Sequence, residues 1–435
     1  MNITVFGVGY VGLTTGACLA NLGHSVLCVD VDAKRIELLN SGKIPFYEPG
    51  LPELVHQNSK KGKLRFTTNA AEAVHFGEVI FNCVNTPSDG DGSANLQYVF
   101  SVAKTIAEHM NSYKIIVNKS TVPPGTARQM AAIISEHNAS KVSFDIVSNP
   151  EFLREGNAIR AFNYPDKIVI GTGSEKAITV MRRVYSGRMR TYLPIVETDW
   201  ETAETIKYAN NTFLATKISF INEMANICDK VGADIKIVSM ALGLDYRISP
   251  RFLNPGVGYG GSCFPKDVKA LIATAKGHGY QAALFEEVDA LNERQKKMIT
   301  HKIRERFGQN LGGKIFSILG LSFKPKTNDM REAPSIKIIQ ELLAAGAQVN
   351  VYDPCAMEDA KHIFQDTVNY CSSIEETAAE SNALVVVTEW DEFRSINFLE
   401  LSKLMKEKII FDGRNIYEPE LVRDEGFEYV GMGRK

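Results

Sequence analysis

The feature that most constrains the fold is a glycine-rich turn that comes directly after a short β-branched run. Gly7-Val8-Gly9-Tyr10-Val11-Gly12 follows Ile3–Phe6 and precedes a stretch with helical periodicity. In a strand–turn–helix unit the first glycine permits the tight turn, the second lets backbone N–H groups approach an anion, and the third allows close helix–strand packing. The pattern therefore predicts a βαβ unit whose helix N-terminus faces the pyrophosphate of a dinucleotide.

An acidic residue at the end of the next predicted strand, Ser25–Val29, identifies the dinucleotide. Asp30 lies about 20 residues beyond the glycines, where a carboxylate accepts hydrogen bonds from a ribose 2′-OH and would repel a 2′-phosphate. NAD is therefore predicted rather than NADP, although the nearby Arg35 is a feature that NADP would favour. The cofactor-binding residues predicted here are Gly7, Val8, Gly9, Tyr10, Val11, Gly12, Asp30 and Arg35.

The first part of the chain alternates strand-like and helical segments, which is typical of a parallel sheet with helices on both faces. Polar loops follow three of the strands, and ligands of open α/β sheets bind beyond the carboxyl ends of strands. These loops contribute Thr86, Pro87, Ser120 and Thr121 to the predicted cofactor site. The predicted strands are Ile3–Phe6, Ser25–Val29, Val79–Cys83, Lys114–Asn118, Phe144–Val147 and Lys167–Gly171, with helices at Thr14–Leu22 and Gln97–Met110.

The pattern changes at about residue 199 and returns at about residue 309. Asp199 is a plausible N-cap for a helix that continues to about Val231, roughly 45 Å long at 1.5 Å per residue, which would join two lobes and offer a surface for dimerisation. A second βα alternation then predicts a Rossmann-like lobe with a degenerate phosphate loop. Its predicted strands are Lys314–Leu319, Gln348–Tyr352, Ala383–Thr388, Ile409–Phe411 and Glu428–Val430.

The predicted fold class is therefore α/β, with two Rossmann-like doubly wound parallel-sheet lobes joined by a long central helix and helical domain. The expected domains are an N-terminal NAD-binding domain at 1–198, a central helical dimerisation domain at 199–308 and a C-terminal Rossmann-like domain at 309–435. A chain of 435 residues is long enough for this division.

Composition excludes several classes of function. The net charge of -2 gives no reason to expect nucleic acid or an anionic membrane as partner, and no apolar run reaches the roughly 20 residues that span a bilayer. The seven cysteines are scattered and form no CxxC pair, which argues against a disulfide scaffold and a structural zinc site. A reducing cytoplasm and a protein without a metal site are the resulting predictions.

One cysteine differs from the others in its surroundings. Cys263 follows a loop with four glycines in the six residues Gly256–Gly261 and precedes a predicted helix, Lys266–Lys276. Glycines let the backbone come close to a ligand, and a helix N-terminus beside Lys266 favours ionisation of the thiol. Cys263 is therefore the predicted nucleophile, whereas the other six cysteines are expected to be small buried hydrophobes.

A nucleophilic cysteine together with an NAD fingerprint narrows the reaction. Oxidation of an alcohol to an aldehyde needs no covalent nucleophile, but a thiolate that adds to an aldehyde gives a thiohemiacetal, which can lose a second hydride to form a thioester. Hydrolysis of the thioester then releases an acid. The residues by themselves leave open an aldehyde dehydrogenase and a four-electron alcohol dehydrogenase.

At these residues the chain resembles the UDP-glucose/GDP-mannose dehydrogenase family through essentially its whole length. The FPKD ending and the Asn-Pro-Gly approach of the cysteine loop are similar to the UDP-glucose branch rather than the GDP-mannose branch. The motifs that carry the resemblance are GVGYVG (Gly7–Gly12), VNTP (Val84–Pro87), STVPPGT (Ser120–Thr126), NPEFLREG (Asn149–Gly156), PDKIVIG (Pro165–Gly171), IKYANN (Ile206–Asn211), NPGVGYGGSCFPKD (Asn254–Asp267) and FKPKTNDMRE (Phe323–Glu332).

The resemblance implies oxidation of UDP-glucose to UDP-glucuronate with NAD, by a homodimer in which Arg247 reaches the neighbouring subunit's substrate. It implies that Lys207 and Asn211 stabilise the oxyanions of the intermediates and that Asp267 supports the water or base. It also assigns Glu151 to the hydrolytic step, with Thr121 beside the same water. A serine at Ser249, where the family often has glycine, is the one visible departure.

The resemblance also implies further binding residues in all three domains. Glu155, Lys266 and Arg331 are expected near the cofactor. The expected substrate-binding residues are Glu151, Phe152, Leu153, Arg154, Glu155, Lys207, Asn211, Arg247, Phe252, Leu253, Asn254, Gly256, Tyr259, Gly260, Phe323, Lys324 and Arg414.

Three alternatives remain open from the sequence. Another nucleotide-sugar dehydrogenase would act on GDP-mannose or a UDP-N-acetylhexosamine. A two-electron hydroxy-acid dehydrogenase could use Lys207, but it would have no use for the Cys263 loop. A nucleotide-sugar or NAD sensor would tolerate loss of Cys263 and would produce no NADH.

Overall fold

A computed structural model describes residues 1–186 and 194–434 and divides the chain into two compact units. One unit comprises Met1–Asn210 with Ala273–Gly279, and the other comprises Asn211–Ile272 with Tyr280–Lys435. No described helix combines the length and the apolar character that crossing a membrane would require.

The first unit is built on an eight-stranded sheet in the order β3-β2-β1-β4-β5-β6-β7-β8. Neighbouring strands pair in parallel except β6 and β7, which meet through the antiparallel bridge Ser148↔Gly171. The strands are β1 (Asn2–Phe6), β2 (Ser25–Val29), β3 (Leu64–Thr67), β4 (Val79–Asn82), β5 (Lys114–Asn118), β6 (Phe144–Ser148), β7 (Ile168–Gly171) and β8 (Ile195–Thr198).

Helices cover both faces of this sheet, as the strand–helix alternation predicts. One apolar core packs the sheet against α1, α3 and α8, and a second packs it against α4, α5 and α6. The helices are α1 (Tyr10–Asn21), α2 (Ala33–Asn40), α3 (Leu51–Lys60), α4 (Ala70–Phe76), α5 (Gln97–His109), α6 (Thr126–His137), α7 (Ala158–Asn163) and α8 (Glu175–Ser186).

A 32-residue helix, α9 (Trp200–Val231), follows the first sheet, as the sequence predicts. The boundary between the two units falls within it, between Asn210 and Asn211. Residues 200–308, all of which the structure describes, contain helices joined by irregular segments and no strand. The other helices of this segment are α10 (Ile235–Leu244), α11 (Phe264–Gly277), α12 (Ala283–Gln295) and α13 (Met298–Phe307).

The second sheet has six parallel strands in the order β11-β10-β9-β12-β13-β14. This order repeats that of β3-β2-β1-β4-β5-β6, so both sheets are Rossmann-like and the predicted fold class is confirmed. The strands are β9 (Ile315–Leu319), β10 (Gln348–Tyr352), β11 (Asn369–Tyr370), β12 (Ala383–Val386), β13 (Ile409–Asp412) and β14 (Glu428–Gly431).

Helices again cover both faces of the second sheet. One core includes side chains of α13, α14 and α15, and the other includes side chains of α16 to α19. These helices are α14 (Pro334–Ala344), α15 (Met357–Phe364), α16 (Ile374–Ala378), α17 (Asp391–Arg394), α18 (Phe398–Leu404) and α19 (Pro419–Asp424).

Three strands at sheet edges were not predicted. β3, β8 and β11 are two to four residues long and lack a continuous buried run, because an edge strand has a sheet neighbour on one side only. Helix ends also differ from the predictions: α1 begins at Tyr10 rather than Thr14, and α11 begins at Phe264 rather than Lys266. The earlier start of α11 puts Cys263 directly before the helix.

Candidate active site

The glycine turn after β1 has the geometry that a dinucleotide requires. A Cβ on Gly12 would lie 1.8 Å from the Gly7 carbonyl oxygen, so only glycine permits this approach of α1 to the turn. A Cβ on Gly9 would have no atom closer than the Asn85 Oδ1, 3.7 Å away, which leaves space in front of the helix. Gly9 is the N-cap of α1, and no side chain caps this helix. The first-turn N–H groups can therefore receive a pyrophosphate, so the turn fits NAD.

Asp30 lies beside this turn, as predicted. Its Oδ2 accepts a hydrogen bond from the Val8 N–H at 2.8 Å, and its Oδ1 accepts one from the Asp32 N–H at 3.0 Å. A carboxylate has further lone pairs for a ribose hydroxyl. The Arg35 guanidinium lies 3.8 Å from Asp30 and 3.9 Å from Asp32. These two carboxylates offset the positive charge that would otherwise attract the 2′-phosphate of NADP.

The predicted cofactor residues of the other loops lie at the carboxyl ends of β4 and β5. The Thr86 hydroxyl donates to the Thr121 carbonyl oxygen at 2.9 Å, and the Ser120 hydroxyl donates to the Val84 carbonyl oxygen at 2.7 Å. These bonds tie the two loops together at one edge of the sheet. Pro87 lies in the same loop as Thr86 and is exposed.

Lys207 and Glu151 form a buried ion pair in the first unit. The Lys207 Nζ lies 2.8 Å from the Glu151 Oε1, and both side chains are less than one-tenth exposed. Burial alone would raise the pKa of Glu151, but the Lys207 ammonium and the Leu153 N–H hold that pKa below its ordinary value. Two residues that the sequence assigns to one reaction are thus in direct contact, and the glutamate is held as an anion.

The loop after Glu151 carries the other predicted substrate residues of this unit. The Phe152 ring has the Lys167 and Lys207 ammonium groups at 4.3 and 5.3 Å from its centre. Leu153 packs against the core, Arg154 pairs with Asp166 at the surface, and Glu155 is half-buried. Burial raises the pKa of the Tyr10 hydroxyl, and the nearby carboxylates of Glu48 and then Glu155 raise it further. The sequence did not single out Lys167.

Cys263 lies at the start of α11 in the second unit, as predicted. It is half-buried, and its Sγ lies 3.7 Å from the Ser262 Oγ. Its carbonyl oxygen accepts a hydrogen bond from the Asp267 N–H at 2.8 Å, which is the first turn of the helix. Five of the other six cysteines are buried, whereas Cys355 is half-buried. Burial raises the pKa of Cys18 and of Cys83 to about 12, so these thiols stay protonated.

Asp267 is the centre of a polar cluster in the first turn of α11, the helix that follows Cys263. Its side chain is 1% exposed. Its Oδ2 accepts a hydrogen bond from the Asn211 amide at 2.7 Å, and its Oδ1 accepts one from the Lys266 ammonium at 2.7 Å. Three of the predicted site residues are therefore in contact in the second unit. Asn211 also lies on α9, four residues after Lys207, so both project from one face of the same helix.

The glycine loop before Cys263 is held by three buried amide side chains that the sequence analysis did not identify. The Asn222 Oδ1 accepts the Gly256 N–H at 2.8 Å, and the Gln295 amide donates to the Gly256 carbonyl oxygen at 2.7 Å. Asn292 bonds both the N–H and the carbonyl of Tyr259, at 2.9 and 3.0 Å. Amides at helical positions give no sequence signal of burial, because a solvated helix face has the same composition.

The predicted residues of the third segment lie against the same glycine loop. A Cβ on Gly260 would lie 2.3 Å from the Glu332 carbonyl oxygen, and one on Gly261 would lie 2.9 Å from the Phe323 ring. The Gly261 N–H donates to the Arg331 carbonyl oxygen at 2.8 Å. The Arg331 side chain points to Asp329 with two hydrogen bonds, and Lys324 lies over the Phe323 ring.

Arg414 is also part of this group. A Cβ on Gly256 would come within 3.2 Å of its side chain. Its guanidinium donates to the carbonyl oxygens of Val387 and Phe323, at 2.7 and 3.3 Å, and it pairs with Glu389. The second unit therefore brings together Phe323, Arg331 and Arg414 with the Cys263 loop.

Residues 245–254 form a separate turn with unusual backbone angles. Ser249 and Phe252 have φ values of 67° and 64°, in the left-handed region that favours glycine. The serine therefore adopts the backbone of the glycine that it replaces in the resemblance. Arg247 is 74% exposed and bonds Asp245, Phe252 packs near the Phe264 ring, Leu253 is buried and Asn254 is exposed.

The second sheet has a similar glycine turn, but the acidic residue beside that turn is occupied by hydrogen bonds within the protein. Gly320 has a φ of 94° and Gly7 one of 89°, and both follow the first strand of their sheet. Asp353 occupies the place of Asp30, but its Oδ2 accepts hydrogen bonds from the N–H groups of Leu321 and Ser322 and from the Trp390 indole. This internal pairing explains the degenerate phosphate loop that the sequence predicts.

The comparisons with known proteins agree with these observations. Three family models match the chain in order. Residues 1–188 match "UDP-glucose/GDP-mannose dehydrogenase family, NAD binding domain", residues 201–294 match the central domain of that family, and residues 317–419 match its UDP binding domain.

Individual relatives are similar over the whole chain. A protein named UDP-glucose 6-dehydrogenase from Rhizobium meliloti (strain 1021) is 46% identical over all of both chains. UDP-glucose 6-dehydrogenase YwqF from Bacillus subtilis (strain 168) is 45% identical over 100% of this chain and 98% of its own. A solved UDP-glucose dehydrogenase from Pyrobaculum islandicum has a TM-score of 0.93 at 36% identity, with 100% of this chain and 98% of that chain covered.

Proposed function

Because the chain belongs to the UDP-glucose/GDP-mannose dehydrogenase family, with an NAD-binding domain at its N-terminus, we propose that it oxidises UDP-glucose to UDP-glucuronate. The observation that carries the proposal is the half-buried Cys263 at the start of α11, beside the Asn211–Asp267–Lys266 cluster. The NAD fingerprint by itself would fit a two-electron dehydrogenase, which needs no such thiol.

The proposed reaction removes four electrons in two hydride transfers. NAD, which the glycine turn and Asp30 would hold, would supply the hydride acceptor for each transfer. The first transfer converts the C6 alcohol to an aldehyde, and the Cys263 thiolate adds to that carbonyl to form a thiohemiacetal. Loss of the second hydride gives a thioester. Water then adds to the thioester carbonyl, the carbon–sulfur bond breaks, and the carboxylate and the thiol are released with one proton.

The charged groups support particular roles in this sequence. Lys207 and Asn211 are donors four residues apart on α9, which suits stabilisation of the oxyanions that form at C6. Glu151 is an anion paired with Lys207, which suits a base for the hydrolytic water, with Thr121 nearby as a hydroxyl partner. Asp267 accepts from Asn211 and Lys266 and would hold both.

The binding residues divide between the cofactor and the UDP-sugar. We assign the predicted cofactor residues to NAD. We assign Phe323, Lys324 and Arg414 to the nucleotide end of the substrate, since these three residues adjoin the Cys263 loop within one unit. The predicted domain boundaries 1–198, 199–308 and 309–435 remain part of this proposal.

A homodimer in the cytoplasm completes the proposal. Phe213, Phe220 and Ile227 recur every seven residues on α9 and are 64%, 50% and 46% exposed. A row of exposed apolar side chains on one helix suits an interface between copies. Arg247 is exposed and bonds Asp245, two residues before it in the chain, so it could reach a second subunit's substrate without breaking the fold. The seven free cysteines suit a reducing compartment.

The test is a panel of nucleotide sugars with NAD. UDP-glucose, GDP-mannose and UDP-N-acetylhexosamines are each incubated with the protein while NADH absorbance and acid product are measured. The proposal predicts the highest kcat/KM for UDP-glucose and two NADH for each UDP-glucuronate. A ratio of one would show a two-electron reaction, and a preference for another sugar would reassign the substrate.

A further inference from the structure

Glu204 is a buried carboxylate that the proposed mechanism does not use. It lies one turn before Lys207 on α9, it is 3% exposed, and no cationic side chain among the described residues lies within ion-pair distance of it. Instead its oxygens accept hydrogen bonds from the Gly125 N–H at 2.7 Å, the Ala127 N–H at 2.8 Å and the Ser148 hydroxyl at 3.2 Å.

These hydrogen bonds make Glu204 the cap of another helix. Gly125 is the N-cap residue of α6 and has no side chain with which to bond the first-turn N–H groups. Glu204 supplies that acceptor from α9, and its negative charge interacts favourably with the positive end of the α6 dipole. A buried carboxylate without a cation is costly unless hydrogen bonds satisfy it. The three hydrogen-bond donors explain how the fold tolerates the buried Glu204 carboxylate, but they do not explain why a carboxylate is present at this position.

The position of Glu204 relates it to the residues proposed for hydrolysis. Thr121 lies four residues before Gly125, Ser148 lies three residues before Glu151, and Lys207 is one turn farther along α9. Three segments that each carry a residue of the hydrolytic step therefore meet at one carboxylate. Thr121, Ser148, Glu204 and Lys207 also line one small pocket in this unit.

We propose that Glu204 is a positioning residue for thioester hydrolysis. It fixes the Thr121 loop and the end of β6 to α9, so that the pocket beside Lys207 holds the water that attacks the thioester. This inference rests on the proposed function, because it concerns the last step of that reaction. Glu204 itself does not contact the reacting atoms: it acts through the backbone of Gly125 and Ala127 and through Ser148.

The chain offers a matched control on the same pair of helices. Glu201 is one turn before Glu204 on α9, and it pairs with Arg128 of α6 at the protein surface, at 2.7 Å. Glu201→Gln breaks a contact between α9 and α6 without disturbing the cap. Glu204→Gln preserves the side-chain size, but its amide nitrogen would face a backbone N–H, so one donor loses its acceptor. Ser148→Ala is a milder variant that removes a single hydroxyl.

The experiment measures each step of turnover separately. With UDP-glucose and NAD, Glu204→Gln should release a burst of two NADH for each site and then turn over about 10–100-fold more slowly than the unmodified protein. Mass spectrometry of the quenched protein should detect the sugar acyl group on Cys263. The KM for UDP-glucose and the Kd for NAD should change by less than about threefold. Ser148→Ala should show a smaller version of the same burst and adduct, and Glu201→Gln should show neither.

Two results would overturn the proposal. One is a kcat for Glu204→Gln equal to that of Glu201→Gln. The other is a Glu204→Gln protein that turns over more slowly but shows no burst of NADH and no acyl adduct on Cys263. If Glu204→Gln does not fold, the same result in Ser148→Ala would overturn the proposal. A failure of the proposed function would be recognised separately, because the unmodified protein would then make no UDP-glucuronate.

Discussion

At the scale of single residues, the proposed reaction depends on buried charged side chains, each of which has a partner. Lys207 and Glu151 neutralise one another at 2.8 Å, and Asp267 accepts from Asn211 and Lys266. Replacing one member of a buried pair leaves the other as an uncompensated charge, which costs more than the pair itself contributes. The ion pair therefore links the stability of the first unit to its proposed catalytic groups.

Lys207→Met should lower the free energy of unfolding by about 3–5 kcal/mol near neutral pH. Glu151 has a folded-state pKa below its ordinary value of 4.5, so its contribution is present above that pH and is lost as the pH falls through the folded pKa. The cost of Lys207→Met should therefore shrink below about pH 4.5. Urea unfolding of the Lys207→Met variant and of the double variant Lys207→Met/Glu151→Gln measures this cost in unfolding free energy. Equal stability of the single and double variants at neutral pH would contradict the account.

The sequence singled out the residues that we propose to be reactive, but not the buried residues that hold them in place. Cys263 was identifiable because glycines and a helix start surround it, which is unusual for a buried cysteine. Asn222, Asn292 and Glu204 lie in ordinary helical patterns, where a buried polar residue and a solvated one look alike. Glu204 would be assigned to an ion pair with Lys207 three residues on, whereas in the structure Lys207 pairs with Glu151. Such tertiary contacts cannot be predicted from local spacing.

At the scale of elements, the strand–turn–helix unit of β1 and α1 was visible in the sequence, although α1 begins four residues before the predicted start. Gly7, Gly9 and Gly12 have distinct tasks, and the space around each one agrees with its task. Short edge strands such as β3 and β8 were missed because half of their hydrogen-bonding edge faces away from the sheet and their sequences lack a buried run.

Gly9→Ala and Gly12→Ala should have opposite consequences. An alanine at Gly9 has space and an ordinary φ of -70°, so the protein should keep its stability within about 0.5 kcal/mol while NAD affinity falls at least about tenfold. An alanine at Gly12 meets the Gly7 carbonyl oxygen, so stability should fall by more than about 2 kcal/mol. Thermal unfolding and NAD titration measure both. Normal NAD affinity in Gly9→Ala would show that the pyrophosphate does not bind at this turn.

The cap that Glu204 provides for α6 should make stability depend on pH. Burial raises the pKa of Glu204 to about 7 from 4.5, despite the opposing hydrogen bonds from Ala127, Gly125 and Ser148. A raised carboxyl pKa means that the folded protein binds a proton that the unfolded chain has lost, so stability falls as pH rises from 4.5 to 7 and levels off above it. The difference in unfolding free energy between the unmodified protein and Glu204→Gln, measured at each pH, isolates the contribution of Glu204 to stability. A difference that is constant from pH 5 to 8 would contradict the raised pKa.

At the scale of the whole molecule, two sheets that share the order of six strands differ at the acid beside the glycine turn. Asp30 and Asp353 each accept the N–H that follows the first glycine, but the Asp30 side chain remains 12% exposed, whereas Asp353 is buried and also accepts from the Ser322 N–H and the Trp390 indole. The long helix α9 carries Lys207 within the first unit and Asn211 within the second. The strand–helix alternation of both lobes and the long helix between them followed from the sequence, because hydrophobic periodicity reports them directly.

The exposed row on α9 should be an interface between two copies of the chain. Phe220→Glu places a charge in the middle of that row and should convert a dimer to a monomer, because the dimer would bury both new carboxylates. Leu421→Glu is the control, since Leu421 is 63% exposed on α19 and lies outside the row. Size-exclusion chromatography with light scattering measures the mass of each. A monomeric unmodified protein, or a dimer that survives Phe220→Glu, would exclude this interface.

The most direct test of the account as a whole is the yield of UDP-glucuronate from Cys263→Ala. The thiol is the one group that distinguishes a four-electron oxidation from simple alcohol oxidation, so its removal should abolish acid formation. NAD affinity should be unchanged, because the glycine turn and Asp30 are intact. Loss of the acid with normal NAD binding is the predicted result, and a near-normal yield of UDP-glucuronate from Cys263→Ala would contradict it.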